Sequence, residues 1–192
     1  GAEERFALGY VEGVLDFQRC NPGPGGMAWA SALELGLRLL ALAQGLPRVA
    51  PSEAFAAGHV EILRVVDRHA RRLRADLSLD KVVRGNHLLG ELAGLLAAGL
   101  LLPGARASWW DGLAVRELLE AEILRQFHPD GVSVEQSLSY EKFVLEFLAL
   151  AGSLGAARGE PFAAPARARL EAALEHLDCC AAPDGTLPVI GD

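Results

Sequence analysis

Apolar residues recur along the chain at the three- and four-residue spacing of amphipathic helices, and clusters of glycine and proline separate the stretches that show it. No stretch of useful length alternates apolar and polar residues as a half-buried strand does. The pattern therefore predicts an all-α fold. The expected helices cover about 3–19, 28–44, 52–77, 86–102, 108–127, 136–154 and 165–181.

The predicted helices differ in how much of their surface is apolar. The second and fourth are apolar nearly all round, which is typical of enclosed helices, whereas the third, fifth and seventh each have one charged face. Because the connections are short, successive helices should be antiparallel neighbours. These features predict an incomplete (α/α) toroid, or the related α-solenoid, built of antiparallel helical hairpins with the even-numbered helices inside.

In such an array every second helix points the same way, so the N-termini of the second, fourth and sixth helices should share one rim. That rim is expected to carry Trp29, Asn86, His87, Gln136 and Tyr140. Helix N-termini present partial positive charge and unpaired N–H groups. The rim is thus a candidate site for a ligand with carboxylate or sulfate groups.

The composition narrows the classes of partner. The formal net charge of −7 provides no overall positive field for nucleic acid, and no apolar run is long enough to cross a bilayer. We therefore expect no nucleic-acid partner and no membrane insertion. The three cysteines, Cys20, Cys179 and Cys180, do not form the pattern of a disulfide framework, and the sequence has no metal-binding motif. Neither a metal nor another cofactor is predicted.

Four sequence features follow one another in an order that is familiar from one family. They are Trp29 with Glu34 and Arg38, Asn-His-Leu-Leu at 86–89, Asp130-Gly131 ahead of Tyr140, and Asp-Gly-Thr-Leu-Pro at 184–188. Together they resemble the N-terminal helical domain of heparinase II/III-like and alginate lyase-like polysaccharide lyases, over 29–192. One departure is Glu141, since the family often has histidine directly after the tyrosine.

The resemblance implies a bacterial polysaccharide lyase that cleaves uronate-containing polysaccharides by β-elimination. Residues 1–182 would form the helical domain, and 183–192 would begin the linker towards a C-terminal β-sandwich domain of the same parent chain. The expected partners are an acidic polysaccharide and that β-sandwich domain, and a periplasmic location is favoured over a cytoplasmic one. A further catalytic histidine or tyrosine would come from the β-domain, so this segment alone should catalyse little.

The resemblance also implies roles for individual residues. Asn86, with His87 beside it, would neutralise the uronate carboxylate so that the C5 proton becomes acidic. Tyr140 would act as acid, base or both, and positive charge from Arg38 or a protonated His87 would favour its basic form. The expected substrate-binding residues are Trp29, Glu34, Arg38 and Gln136.

Structural roles and other functions stay open at this point. Asn86 is equally suited to an ordinary helix cap and Trp29 to core packing. One alternative function is a non-catalytic helical scaffold that binds glycan or protein. Another is a glycoside hydrolase, which needs two carboxylates facing across a cleft. The glutamates near the predicted rim are Glu34, Glu91, Glu135 and Glu141.

Overall fold

The computed structural model describes residues 1–23, 25–80, 85–102 and 115–191, and within these ranges the chain is helical and has no strand. The α-helices are α1 (Ala2–Cys20), α2 (Ala32–Val49), α3 (Glu53–Ala75), α4 (Asn86–Leu101), α5 (Val115–Gln126), α6 (Leu138–Ala157) and α7 (Ala164–Cys180). Short 3-10 helices, Met27–Trp29 and Ser78–Asp80, precede α2 and α4. The all-α prediction is confirmed.

Helix α4 lies at the centre of the hydrophobic core and contacts α2, α3, α5 and α6. Leu88, Leu92 and Ala93 on α4 are fully buried, as are Leu35 and Leu39 on α2. A helix that is apolar on nearly all sides is stabilised by being surrounded, because burial removes its apolar surface from water. The predicted enclosure is thereby confirmed for the fourth helix, whereas α2 is buried on one side and exposes Glu34, Ala41 and Gln44 on the other. The closure of the hairpins into a toroid stays a prediction.

Helices α2 and α4 cross at glycines. A Cβ atom on Gly94 would lie 2.3 Å from the Cα of Gly36, and one on Gly90 would lie 2.3 Å from Cδ1 of Leu33. Only residues without a side chain allow the two backbones to approach so closely. Earlier residues of α2 face earlier residues of α4, so the two helices run parallel and their N-termini point to the same side of the domain.

The prediction that the second helix begins near residue 28 is wrong. Met27–Trp29 form a separate 3-10 turn, and α2 begins at Ala32. The reason is local: the Ser31 hydroxyl accepts the N–H of Glu34 at 3.3 Å and so caps the helix. Ser-x-x-Glu is the spacing of a capping box, a signal that the sequence carries at this point.

The predicted end of the second helix is also wrong. The helix continues past Gly45, includes Pro47 and ends at Val49. Gly45 does not terminate the helix but makes room for the ring of Tyr10 on α1, because a Cβ there would lie 2.3 Å from the tyrosine oxygen. A glycine required by tertiary packing looks the same in sequence as one that ends a helix.

Other predicted bounds differ less or fall outside the described residues. The predicted start of the fifth helix near 108 lies outside the described residues, as do Arg84, ahead of the Asn-His-Leu-Leu motif, and Asp192. The sixth predicted helix corresponds to α6, which begins after Ser137.

Candidate functional site

Asn86 is the first residue of α4, and a carboxylate from a distant part of the chain holds it. Its backbone N–H donates to Oε1 of Glu135 at 2.9 Å, and its Nδ2 group donates to Oε1 and Oε2 at 3.1 Å each. The N-cap position is Gly85, which has no side chain to accept the free N–H groups of the helix. Asn86 is therefore not the cap of α4; Glu135 provides the acceptor and stabilises the positive end of the helix.

Gly85 makes this arrangement possible. A Cβ atom at this position would lie 1.8 Å from Oε1 of Glu135, so any larger residue would displace the carboxylate. The carboxylate in turn fixes the amide of Asn86, which is only 9% exposed. Because Nδ2 points at Glu135, the Oδ1 atom and the second Nδ2 hydrogen of Asn86 are directed elsewhere, and neither binds a described residue.

The segment 127–137, which carries Glu135, is a tight connection between α5 and α6. The N–H of His128 donates to the carbonyl of Val132 at 2.9 Å and closes the turn that contains Asp130 and Gly131. Gly131 has a φ of +95°, and a Cβ there would lie 2.2 Å from the carbonyl oxygen of Ala172 on α7. The turn therefore needs glycine both for its backbone conformation and for its contact with α7.

Tyr140 lies in the first turn of α6. The Ser137 hydroxyl accepts its backbone N–H at 3.3 Å and caps the helix. The phenol is half-buried and forms no hydrogen bond with a described residue. Glu135, shortly before Ser137, binds the first residue of α4, so the N-termini of α4 and α6 are neighbours. The structure thus brings Asn86, Glu135 and the helix turn of Tyr140 to one side of the domain.

His87 and Gln136 are both exposed at this end of the domain. His87 is the second residue of α4 and forms no hydrogen bond with a described residue. Gln136 has a φ of 55°, a left-handed conformation that non-glycine residues adopt infrequently. Neither side chain is committed to packing, so both are available to a ligand.

The last described residues fold back on the N-terminus of α6. The carbonyl of Ile190 accepts the N–H of Leu138 at 3.1 Å, and Gly191 packs against Ser137. The side chains of Val189 and Ile190 are nevertheless 89% and 53% exposed. Within the described structure these terminal apolar side chains are thus exposed, although their backbone is fixed beside α6.

Trp29 is part of the hydrophobic core. It is 3% exposed, its ring centroid lies 4.6 Å from that of His69, and its Nε1 donates to the carbonyl of Asn21 at 3.1 Å. A side chain this deeply buried has almost no surface on which a sugar ring could stack. The structure therefore favours the packing role of Trp29 over the predicted role in substrate binding.

Glu34 and Arg38 also have structural surroundings. Their closest charged atoms are 3.8 Å apart, and the side chain of Glu34 is 60% exposed. The guanidinium of Arg38 donates to the carbonyl of Ala28 and lies 5.1 Å from the ring centroid of Phe17 on α1. The contacts of the Arg38 guanidinium are thus with Ala28, Phe17 and Glu34, and none of its described hydrogen bonds or ion pairs is with Tyr140.

Arg38 also lines a cleft of about 500 Å³ between α1, α2 and α3. The other lining residues are largely apolar and include two glycines of α1. Burial lowers the pKa of Arg38, and the nearby charge of Glu34 opposes that shift. A polysaccharide binds through hydroxyl and carboxylate groups, for which apolar walls of this kind provide few partners.

The glutamates that a glycoside hydrolase would use are engaged separately. Glu91 is fully buried and accepts the N–H and the hydroxyl of Ser78 at 2.7 Å each. Glu141 is 1% exposed and binds His176. Glu135 binds Asn86. Because each carboxylate has its own partner, none of these contacts forms the pair that hydrolysis of a glycosidic bond requires.

The sequence places Glu135 near the predicted rim, but it predicts neither the bonds of Glu135 to Asn86 nor the pairing of Glu141 with His176. One signal for the first was present: Gly85 precedes the helix and cannot cap it, so an acceptor from elsewhere was needed. For the second, a glutamate and a histidine far apart in sequence gave no indication that they meet. Both contacts depend on how distant elements pack.

The described residues contain no group of three or more histidine, cysteine, aspartate or glutamate side chains that could hold a metal ion. None of the described helices combines the length and the apolar character that a bilayer-spanning helix requires. The candidate site therefore consists, in the described part of the chain, of hydrogen-bonding and titratable side chains at helix N-termini.

The fold and the site define an all-α domain with a polar cluster where two central helices begin. Comparison with known families identifies the group: the chain belongs to the heparinase II/III N-terminus family, whose model matches residues 1–192. A search among curated proteins finds no significant match.

Two solved structures share the fold. One is heparan sulfate lyase HepC from Pedobacter heparinus, at 24% identity and a TM-score of 0.67 over 96% of this chain and 30% of that one. The other is a heparinase III with methylated lysines, at 22% identity and a TM-score of 0.62 over 83% of this chain and 25% of that one. The chain thus spans less than a third of either structure.

Proposed function

We propose that this chain is the helical domain of a polysaccharide lyase that cleaves uronate-containing polysaccharides by β-elimination. The observation that carries the proposal is the fixed amide of Asn86 at the N-terminus of α4, next to the first turn of α6 with Tyr140. Membership of the heparinase II/III N-terminus family supports it. The names of the two structural neighbours, a heparan sulfate lyase and a heparinase III, agree with the same class of reaction.

β-Elimination requires the C5 proton of the uronate to become acidic. Hydrogen bonds to the uronate carboxylate achieve this by stabilising the negative charge that develops as the proton leaves. The second Nδ2 hydrogen of Asn86 is one such donor, and His87, exposed beside it, is another. Since Glu135 already places one negative charge here, a protonated His87 would offset the repulsion that a second carboxylate meets.

Tyr140 is the proposed proton-transfer residue. Its phenol is half-buried and uncommitted among the described residues, in the first turn of α6, where the helix dipole favours negative charge. It would remove the C5 proton, protonate the departing glycosidic oxygen, or do both in turn. The C4–O bond breaks as the C4–C5 double bond forms, which leaves an unsaturated uronate at the new end.

A second domain of the parent protein is part of the proposal. It would lie beyond residue 182 as a β-sandwich and supply the remaining histidine or tyrosine. The exposed side chains of Val189 and Ile190, next to the N-terminus of α6, form an apolar surface close to Tyr140. A domain that covered them would close the site from that side.

One observation favours a non-catalytic scaffold as the second candidate. Asn86 is already hydrogen-bonded to Glu135 through its backbone and its side chain, as expected if the two residues serve only to fix the start of α4. On this alternative the same end of the domain binds glycan or protein without turnover.

The experiment uses the full-length protein that carries this chain, with a panel of heparan sulfate, alginate, chondroitin and bacterial exopolysaccharides. Ultraviolet absorbance of the unsaturated uronate reports elimination, and sedimentation of each polymer with the protein reports binding. A rise in absorbance on at least one polymer is the expected result. Binding of a polymer without a rise in absorbance on any member of the panel would contradict the lyase and support the non-catalytic scaffold.

A further inference from the structure

A thiol, an imidazole and a carboxylate form a linear arrangement between α6 and α7. Nδ1 of His176 lies 2.8 Å from Oε1 of Glu141, and Nε2 of the same ring lies 3.6 Å from Sγ of Cys180. Glu141 is 1% exposed, and its second oxygen accepts the N–H of Ser133 at 3.3 Å. His176 and Cys180 lie one turn apart on α7, whereas Glu141 reaches them from α6.

The buried carboxylate fixes the state of the imidazole. An ionised carboxylate accepts hydrogen bonds only, so Nδ1 of His176 carries the proton that it donates to Glu141. Nε2 of the neutral ring then presents its lone pair to the thiol of Cys180. A nucleophile next to a base, which is itself oriented by a third group, is the arrangement that activates thiols and hydroxyls in proteins.

The charges around the imidazole favour its role as a proton acceptor. Glu141, from α6, lies 2.8 Å from Nδ1, so its negative charge offsets the positive charge that the ring gains when Nε2 accepts the thiol proton. The thiol of Cys180 passes its proton to Nε2 as the sulfur reacts. Asp184, in the segment after α7, is bonded to Thr186 and does not contact the imidazole.

The other two cysteines provide an internal comparison. Cys20 and Cys179 are exposed, whereas Cys180 is partly buried. Neither exposed thiol has a hydrogen-bond partner among the described residues. If accessibility alone determined reactivity, Cys20 and Cys179 would react faster than Cys180.

We propose that Cys180 is an activated thiol that hydroperoxides oxidise to a sulfenic acid, with His176 as the base and Glu141 as its positioning residue. The sulfur attacks one peroxide oxygen and the O–O bond breaks. The thiol proton passes through Nε2 of His176 to the departing oxygen, which leaves as water or an alcohol. Sulfur is oxidised and the peroxide is reduced, so the step needs no other reactant. The proposal is independent of the lyase activity.

The test exposes the full chain to hydrogen peroxide at pH 7, traps sulfenic acids with dimedone, and locates them by mass spectrometry. Variants Cys179→Ser and Cys180→Ser separate the two adjacent cysteines. The expected result is labelling of Cys180 at least about tenfold faster than that of Cys20 or Cys179, in line with the contribution of a general base. His176→Gln should abolish this preference, whereas His59→Gln, a change at an exposed histidine of α3, should leave it intact.

A second measurement needs no substitution and so does not depend on the folding of a variant. Iodoacetamide should alkylate Cys180 faster than the exposed Cys179 at pH 7, because Nε2 of His176 accepts the thiol proton as the sulfur reacts. Slower modification of Cys180 than of Cys179 at every pH would overturn the proposal. So would a preference for Cys180 that persists in His176→Gln.

Discussion

At the scale of single residues, the domain satisfies several buried polar side chains with specific partners from other elements. Asn86 has Glu135, Glu91 has Ser78, and Glu141 has His176. Removing the partner of a buried polar group lowers the stability of the fold far more than removing the partner of an exposed one. These contacts therefore make predictions that separate positioned side chains from exposed ones of the same type.

Substitution of Glu135 by glutamine should lower the free energy of unfolding by about 1 kcal/mol, since the neutral amide loses the charge-assisted bonds at the N-terminus of α4. The measurement is urea denaturation at neutral pH. Glu171→Gln is the matched control, because Glu171 is exposed on α7 and has no described partner. Equal effects of the two substitutions would mean that Glu135 does not stabilise α4.

His69 should make the domain less stable in mild acid. The ring is 1% exposed, Nδ1 bonds to the carbonyl of Val65, and Nε2 has no hydrogen-bond partner among the described residues. Burial lowers its pKa from the ordinary 6.5, the bond to Val65 opposes this shift, and the charge of Arg38 adds to it. Below pH 6.5 the unfolded chain therefore binds the proton that the folded chain resists, and stability falls as the pH falls.

The measurement is the free energy of unfolding by urea between pH 7.5 and pH 5. The contribution of His69 to the slope is at most about 1.4 kcal/mol per pH unit. His69→Phe, which retains a ring against Trp29, should flatten the curve in this range. His59→Gln should leave the slope close to that of the unsubstituted protein. A curve for His69→Phe that parallels the original would rule out His69 as the source.

At the scale of elements, the crossing of α2 and α4 determines how the central helices pack. Gly36 and Gly94 are in direct contact there, whereas Gly9 and Gly13 on α1 face open space. The same residue type is thus required in one pair of positions and unfavourable for helix stability in the other.

Gly94→Ala should destabilise the domain by about 1–3 kcal/mol, because the added methyl group would overlap the backbone of α2. Gly13→Ala should instead stabilise it by roughly 0.5–1 kcal/mol, since alanine favours the helix and meets nothing within 4 Å. Thermal denaturation of the two variants measures both effects. Stabilisation by Gly94→Ala would mean that α2 and α4 do not approach through their glycines.

The sequence predicts elements of this kind well where the signal is local. The apolar character of 86–102 identified an enclosed helix, and Asp130-Gly131 identified a turn. Gly45 and Pro47 led to a predicted end of the second helix that is too early. In sequence, a glycine that makes room for the ring of Tyr10 and a proline in the last turn of a helix cannot be distinguished from residues that end a helix. The partners of Asn86 and Glu141 could not be predicted, since each comes from an element that is distant in sequence.

At the scale of the whole molecule, the helix N-termini that carry Asn86 and Tyr140 form one side of the domain. The chain covers 30% of the heparan sulfate lyase structure and 25% of the heparinase III structure. The proposed activity therefore belongs to the longer protein, in which a second domain would complete this side. Substitutions in the helical domain nevertheless test the role that we propose for this domain in the reaction.

The two tyrosines of the chain make that test specific. Tyr140 has an uncommitted phenol beside the candidate site. Tyr10, on α1, instead packs against Gly45 of α2, and burial raises the pKa of the Tyr10 phenol. Removing only the hydroxyl group therefore changes the proposed proton transfer at Tyr140 and a packing contact at Tyr10. Circular dichroism of both variants establishes that the fold is retained.

The decisive measurement is the rate at which full-length protein generates ultraviolet-absorbing unsaturated uronate, compared among the unsubstituted protein, Tyr140→Phe and Tyr10→Phe on the polymer that reacts best. Loss of proton transfer should reduce the rate roughly 10²–10⁴-fold in Tyr140→Phe. Tyr10→Phe should retain most of the activity. Equal activity of Tyr140→Phe and the unsubstituted protein would contradict the proposed mechanism, and absence of product from the unsubstituted protein on every uronate polymer would contradict the lyase.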